Sequence, residues 1–237
     1  MAKLNGGKKI RLHSFMDINE AKKYFRQHIE LFGNEIYTSI DDNRIKKFNN
    51  YGSIHETLNS YKVSIENCEK CNLSLTRNKF VFGSGDPNAD LLLVGEGPGE
   101  EEDFQGEPFV GKAGRLLDKI LKAIGYSRDN NIFIANIVKC RPPENRNPLP
   151  SEIEQCTPYL VYQINLIKPK LIVALGKVAG QTLLKEKMLI KEMRKKTYQY
   201  NSIPLIITYH PAALLRNPLL KKDVWEDFQY IRDFMKS

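Results

Sequence analysis

The sequence is short of cysteine, histidine and tryptophan, with four, four and one of them in 237 residues. In a reducing compartment four cysteines are more often metal ligands or bystanders than disulfide partners. No apolar run reaches the roughly 18 residues needed to span a bilayer. The opening stretch, MAKLNGGKKIRLHSF, has no apolar segment of signal-peptide length. Both absences set the expectation of a cytoplasmic protein with no membrane association. A GK[ST] P-loop and a GxGxxG fingerprint are missing, which sets aside the two commonest nucleotide cradles. No internal repeat and no low-complexity segment interrupts the chain. What is present suffices for a core: 41% hydrophobic against 27% charged residues excludes wholesale disorder. Lysine and arginine outnumber the acids, 36 to 28, for a net charge of +8. Such an excess fits an anionic partner, most commonly nucleic acid, or a merely soluble basic protein.

Two regions read differently. Residues 1–50 hold one amphipathic helix candidate, Asp17 to Phe32, with Ala21, Phe25, Ile29 and Phe32 on one face, and then a polar stretch. This N-terminal extension carries no catalytic constellation. Residues 51–237 alternate strand and helix. A helix is expected over Ser53 to Asn67. Strands are expected at Leu91 to Val94, Ile132 to Val138, Leu171 to Leu175 and Leu205 to Tyr209. Helices are expected over Ala113 to Ile124, from Ser151 with Glu154 closing a capping box, over Val178 to Leu184, and over Asp223 to Met235. Trp225, Phe228, Ile231 and Phe234 form the expected buried stripe of the last one. The charged segment Lys185 to Asn201 is read as two short strands. The order predicts a three-layer α/β/α fold around a mostly parallel four-stranded sheet. Ligands in such sheets sit beyond the carboxyl ends of the strands. Gly95 to Asp103, Asn136 and His210 all fall there.

The cysteines form a pattern. Cys68-Glu-Lys-Cys71 is a CxxC; 68 residues separate it from Cys140, and 15 more lead to Cys156. Four thiolates suit zinc or an iron–sulfur cluster, and spacing alone does not separate the two. A thioredoxin-like role is disfavoured, because no strand feeds the CxxC directly into a helix. After the first core strand comes a Gly-rich loop with five acidic residues between Glu96 and Asp103. Its glycines allow close backbone approach to a ligand, while its carboxylates oppose phosphate binding.

Four features in order, GEGPGEEEDFQGEPFVGKAGRLL, NIVKCRPPENRNP, the four-cysteine layout and YHPAALLRNP, resemble family 4 uracil-DNA glycosylases. The resemblance spans Ile65 to Ser237. It implies a base-flipping hydrolase acting on uracil-containing DNA. It also implies a [4Fe–4S] cluster on Cys68, Cys71, Cys140 and Cys156, zinc being the alternative occupant; the protein is expected to be a monomer. Uracil leaves as an anion from an oxocarbenium-like sugar, so a donor near O2 is needed, and the resemblance assigns His210 that place. Glu96 is implied as the group that positions water or steadies the sugar. Gly95 and Gly97 belong to the turn whose N–H groups face the base. Phe109 is implied to stack, braced by Pro108 and Val110. Asn136 is implied to read uracil O4 and N3–H, and Glu102 to exclude thymine's methyl. The classical uracil-DNA glycosylases carry an Asp where this chain has Gly97, so that water-activating carboxylate is absent here.

Leu214, Leu215 and Arg216 follow His210 and suit a wedge with a phosphate contact, or the buried start of a helix. Lys139, Arg141 and Arg146 flank Cys140, so a bound cluster would brace a loop that touches DNA. Lys185 to Lys196, with six basic and two acidic residues, suits backbone tracking or a solvated hairpin equally. A covalent or non-catalytic uracil-DNA binder is the competing reading. Covalent trapping uses a histidine in a basic insertion, and CRPPENRNPLP has none; the four histidines are His13, His28, His55 and His210.

Overall fold

Consecutive apolar residues on β2 (Leu91–Gly95), β3 (Ile132–Asn136) and β4 (Leu171–Leu175) leave no polar face, so each strand must be covered on both sides. The structure, a computed structural model describing residues 57–236, shows how. The sheet has six strands in the order β1-β3-β2-β4-β6-β5. Four of them, β3, β2, β4 and β6 (Ile203–Thr208), run parallel. The expected four-stranded sheet is extended by antiparallel edge strands, β1 (Ser84–Gly85) on β3 and β5 (Thr197–Tyr200) on β6. Both edges are short and polar, which hid the first of them from a search for apolar runs.

Period-2 alternation divides the core. Leu92, Val94, Phe133, Ala135, Ile172 and Ala174 face one layer, formed by α1 (Leu58–Ile65), α4 (Pro150–Ile167) and α5 (Lys177–Leu184). Leu91, Leu93, Ile132, Ile134, Leu171 and Val173 face the other. There α3 (Lys112–Ala123), α7 (Pro211–Arg216) and α8 (Lys221–Lys236) pack. The chain leaves β2 toward β3 and leaves β4 toward β6, so the order reverses between two adjacent central strands. That switch point is where a crevice opens at the strand ends.

Several local expectations are corrected. The acidic loop holds a helix, α2 (Glu100–Gln105), because its carboxylates crowd a helix N-terminus, where they are favourable. The N-cap of α4 is Leu149 with Pro150 at the first helical position; Glu152, not Glu154, accepts from the Leu149 N–H at 2.7 Å. Lys185 to Asn201 gives one short helix, α6 (Ile190–Met193), and one strand, β5, rather than two strands. The buried stripe of α8 is Val224, Asp227, Phe228 and Ile231, and Trp225 is 40% exposed. Asp227 takes the inner place because Arg194 pairs with it at 2.8 Å and Thr208 donates to it at 2.6 Å. Arg194 therefore turns inward, away from any DNA-facing surface. The helix expected over Asp17 to Phe32 lies outside the described residues. Among those described, no helix is long and apolar enough to cross a membrane.

Candidate active site

The strand ends bring the sequence-selected residues to one crevice. Gly95 and Asn136 are register partners at the ends of β2 and β3. By alternation both face the layer of α3, α7 and α8. A Cβ on Gly95 would overlap the Asn136 amide oxygen and lie 2.7 Å from the edge of the Phe109 ring. Phe109 stacks on His210, with ring centroids 5.3 Å apart and planes 28° apart. Phe109 and His210 line a pocket of about 620 Å³ that Glu96, Gly97, Glu102 and Arg216 also line. Asn136 sits just beneath, 2% exposed. Its Oδ1 is the sole buried side-chain oxygen or nitrogen without a hydrogen-bond partner among the described residues. An orphan of this kind costs about 1–3 kcal/mol unless a donor meets it.

His210 caps α7. Its Nδ1 accepts from the Ala212 N–H at 3.1 Å, which leaves the proton on Nε2. Burial, helped by Arg216, pulls its pKa down to about 4, so the ring is neutral at pH 7. Burial raises the Glu96 carboxyl above its ordinary range.

Phe109 holds a left-handed backbone, φ 56°, unfavourable for an aromatic residue. Arg128 stabilises it: its guanidinium donates to the Pro108 carbonyl at 2.8 Å and to the Phe109 carbonyl, while its Nε donates to Asp118 at 2.7 Å. Gly114 completes the clamp, since any Cβ there would strike the Phe109 carbonyl. Nothing in the sequence singles out Arg128, because the oxygens that it holds at Phe109 and Pro108 are backbone atoms nearly twenty residues away. Glu102 spans two loops, accepting from Gly99 N–H at 3.2 Å and Gly111 N–H at 2.9 Å. The Gly99 N–H is thereby committed and not free for a base. Buried Asp103 accepts from Asn78 N–H at 2.9 Å and its amide at 2.6 Å, tying α2 to the segment after the CxxC.

The expectation for Leu214 is corrected: it is 2% exposed and packed in the core beside α3 and α8. Leu215, 49% exposed, and Arg216 remain on the surface.

The four cysteines lie on the opposite face of the sheet and line one pocket with Phe80 and Tyr159. None of the four is in a disulfide. Donors surround the sulfurs: Arg77 to Cys140 at 3.2 Å, Tyr159 hydroxyl to Cys68 at 3.1 Å and the Lys139 N–H to Cys156 at 3.3 Å. As a bare thiol Cys156 is pushed by burial up to about 12. Donors aimed at buried sulfurs fit thiolates that hold a metal group. Among the described residues no three of His, Cys, Asp and Glu converge closely enough to hold a single ion. Lys139, unlike its basic neighbours Arg141 and Arg146, is fully buried.

Comparison with known proteins shows the family. The sequence profile of the uracil DNA glycosylase superfamily matches residues 82–229. A type-4 uracil-DNA glycosylase of Archaeoglobus fulgidus is 41% identical over 184 residues, 74% of this chain and 92% of its own. The type-4 enzyme of Sulfurisphaera tokodaii is 44% identical, covering 75% of this chain and 84% of its own. That of Thermotoga maritima is 41% identical over 73% of this chain and 92% of its own.

Proposed function

We propose, from the premise that the chain belongs to the uracil-DNA glycosylase superfamily and sits among its type-4 members, a specific division of labour in the crevice. The activity is that of a uracil-DNA glycosylase, a hydrolytic DNA N-glycosylase of DNA repair that releases uracil and leaves an abasic site. What is proposed is which residues perform it.

The carrying observation is the unpartnered Asn136 Oδ1 beneath Phe109 and beside Gly95. A flipped uracil offers N3–H to that oxygen and O4 to the amide nitrogen. Cytosine presents the reverse pattern and would leave buried groups unpaired, which is a large penalty. Phe109 stacks the ring. His210 Nε2–H donates to O2 as charge builds on the departing base. A neutral donor suits this task, since it stabilises the anion without protonating it. Glu96 orients water or steadies the positive sugar. Glu102, held by two backbone N–H groups, fixes the loop wall beside C5 and so excludes thymine's methyl from there. Leu215 fills the gap left in the duplex and Arg216 holds a phosphate.

Cys68, Cys71, Cys140 and Cys156 would hold a [4Fe–4S] cluster. Four cysteine thiolates suit either zinc or an iron–sulfur cluster, and the resemblance to family 4 favours the cluster. Such a cluster would pin the segments around residues 70, 140 and 156 together. Hydrolysis requires no electron transfer, and the residues of the crevice account for the chemistry without it.

The activity is tested with a uracil-bearing oligonucleotide incubated with the protein and then treated with alkali. Scission at the uracil is expected; an intact strand or a covalent adduct would overturn the reading. Phe109→Ala removes base stacking of about 1–3 kcal/mol and is expected to lower kcat/KM by about 5- to 150-fold, read from the same assay. Unchanged kinetics would remove Phe109 from the site. DNA affinity is expected to fall with salt, by a slope of about −0.9 per phosphate neutralised, measured by titration at several salt concentrations.

A further inference from the structure

Lys139 is among the largest fully buried side chains of the described residues. It lies three residues beyond Asn136 and beside Cys140. Past the end of β3 the parallel pairing continues, with Ile137 N–H to the Gly95 carbonyl and Val138 N–H to the Glu96 carbonyl. The Lys139 N–H then leaves the sheet for Cys156 Sγ at 3.3 Å. Its side chain turns back, and Nζ donates to the Asn136 carbonyl at 3.0 Å and to Gln163 Oε1 at 2.6 Å. Gln163, itself buried on α4, donates to the Phe82 carbonyl at 2.9 Å.

Among the described residues no carboxylate pairs with this ammonium. Its polar contacts are hydrogen bonds, from Nζ to the Asn136 carbonyl and Gln163 and from the backbone N–H to Cys156. A buried amine persists only when its donors are satisfied. Those bonds join two things: the end of the strand that presents Asn136, and the four-cysteine site. The cysteines and the crevice occupy opposite faces of the sheet, and Lys139 bonds the first through its backbone N–H and the strand that ends at the second through Nζ.

We propose that Lys139 is a positioning residue that registers the base-reading Asn136 against the four-cysteine site. The inference rests on the assignment of Asn136 to uracil recognition. It gives the cysteine site a task in a hydrolase: Cys156 holds the Lys139 backbone, and the lysine Nζ holds the Asn136 peptide in place. The amide then meets the base without reorganising. A cation at this spot is not interchangeable with an apolar side chain of equal length, because only a donor bonds the carbonyl and Gln163 together.

The test is a double-mutant cycle read as the dissociation constant for free uracil, with iron per chain measured alongside. Asn136→Ala is expected to weaken uracil binding about 100-fold, and Lys139→Met about tenfold. In the Asn136→Ala background, Lys139→Met is expected to add less than about twofold, because the amide it positions is gone. Gln163→Leu leaves the charge in place. It is expected to keep the parent's iron content and to weaken uracil binding about threefold, again only when Asn136 is present. Should Lys139→Met not fold, Gln163→Leu decides alone. Parent-like uracil affinity in both the Lys139 and the Gln163 variants, or losses equal in the two backgrounds, would overturn the proposal. Asn136→Ala with unchanged affinity would overturn the assignment of Asn136 itself, and this inference with it.

Discussion

Replacing His210 with alanine is expected to lower kcat by about 10²- to 10³-fold, the scale on which enzymes lose turnover when one donor to a developing oxyanion is removed. Affinity for uracil-bearing DNA should stay within about threefold of the parent, because the donor acts on charge that appears only as the bond breaks. Single-turnover kinetics and a binding titration separate the two. The same geometry sets the pH response. The Ala212 N–H occupies Nδ1 and burial holds the ring neutral to about pH 4. The rate should therefore show no loss from His210 protonation between pH 6 and 8. For stability the sign is definite. The unfolded chain protonates this histidine near 6.5 while the folded chain resists to about 4, so acidification through that window favours unfolding. A His210→Ala variant should lose part of that acid sensitivity. Parent-like turnover in this variant would remove His210 from the chemistry.

Gly95→Ala is expected to abolish uracil release, at least about 100-fold, while the chain still folds. Gly95 ends a central strand in an extended conformation, which alanine also adopts. Its methyl group, however, has nowhere to go but the space of the Asn136 amide and the Phe109 edge. Overpacking of this kind typically costs about 1–3 kcal/mol, a few degrees of melting temperature. The functional loss should be far larger, because the methyl sits where the base must pair. Thermal melts and the alkali assay measure the two effects together. An active Gly95→Ala enzyme would place the uracil pocket elsewhere.

Much of this site was readable from residue order, for a physical reason. Parallel strands read as short apolar runs, and residues just past them must meet at one edge of the sheet. Gly95, Asn136 and His210 each follow such a run. Phe109 does not; only its resemblance to a family motif singled it out, and its left-handed backbone is explained by Arg128 and Gly114, whose partners are backbone atoms that leave no sequence signature. The inward turn of Arg194 was hidden because a basic run looks solvated until Asp227 appears across from it on α8. Leu214 and Leu215 are indistinguishable by type, and helical phase alone sends one to the core and the other to the surface. Lys139 was grouped with its cationic neighbours. Its burial follows from contacts with Gln163 and the Asn136 carbonyl, which only the folded chain brings together.

The claim on which the account rests is that three strand ends and the Phe109 loop build a single slot for an everted uracil. A crystal structure of the protein with free uracil tests it most directly. The expected result is a ring stacked on Phe109, its N3–H and O4 paired with the Asn136 amide, and His210 Nε2 within hydrogen-bond distance of O2. Uracil bound away from Asn136, or with His210 turned from it, would contradict the account.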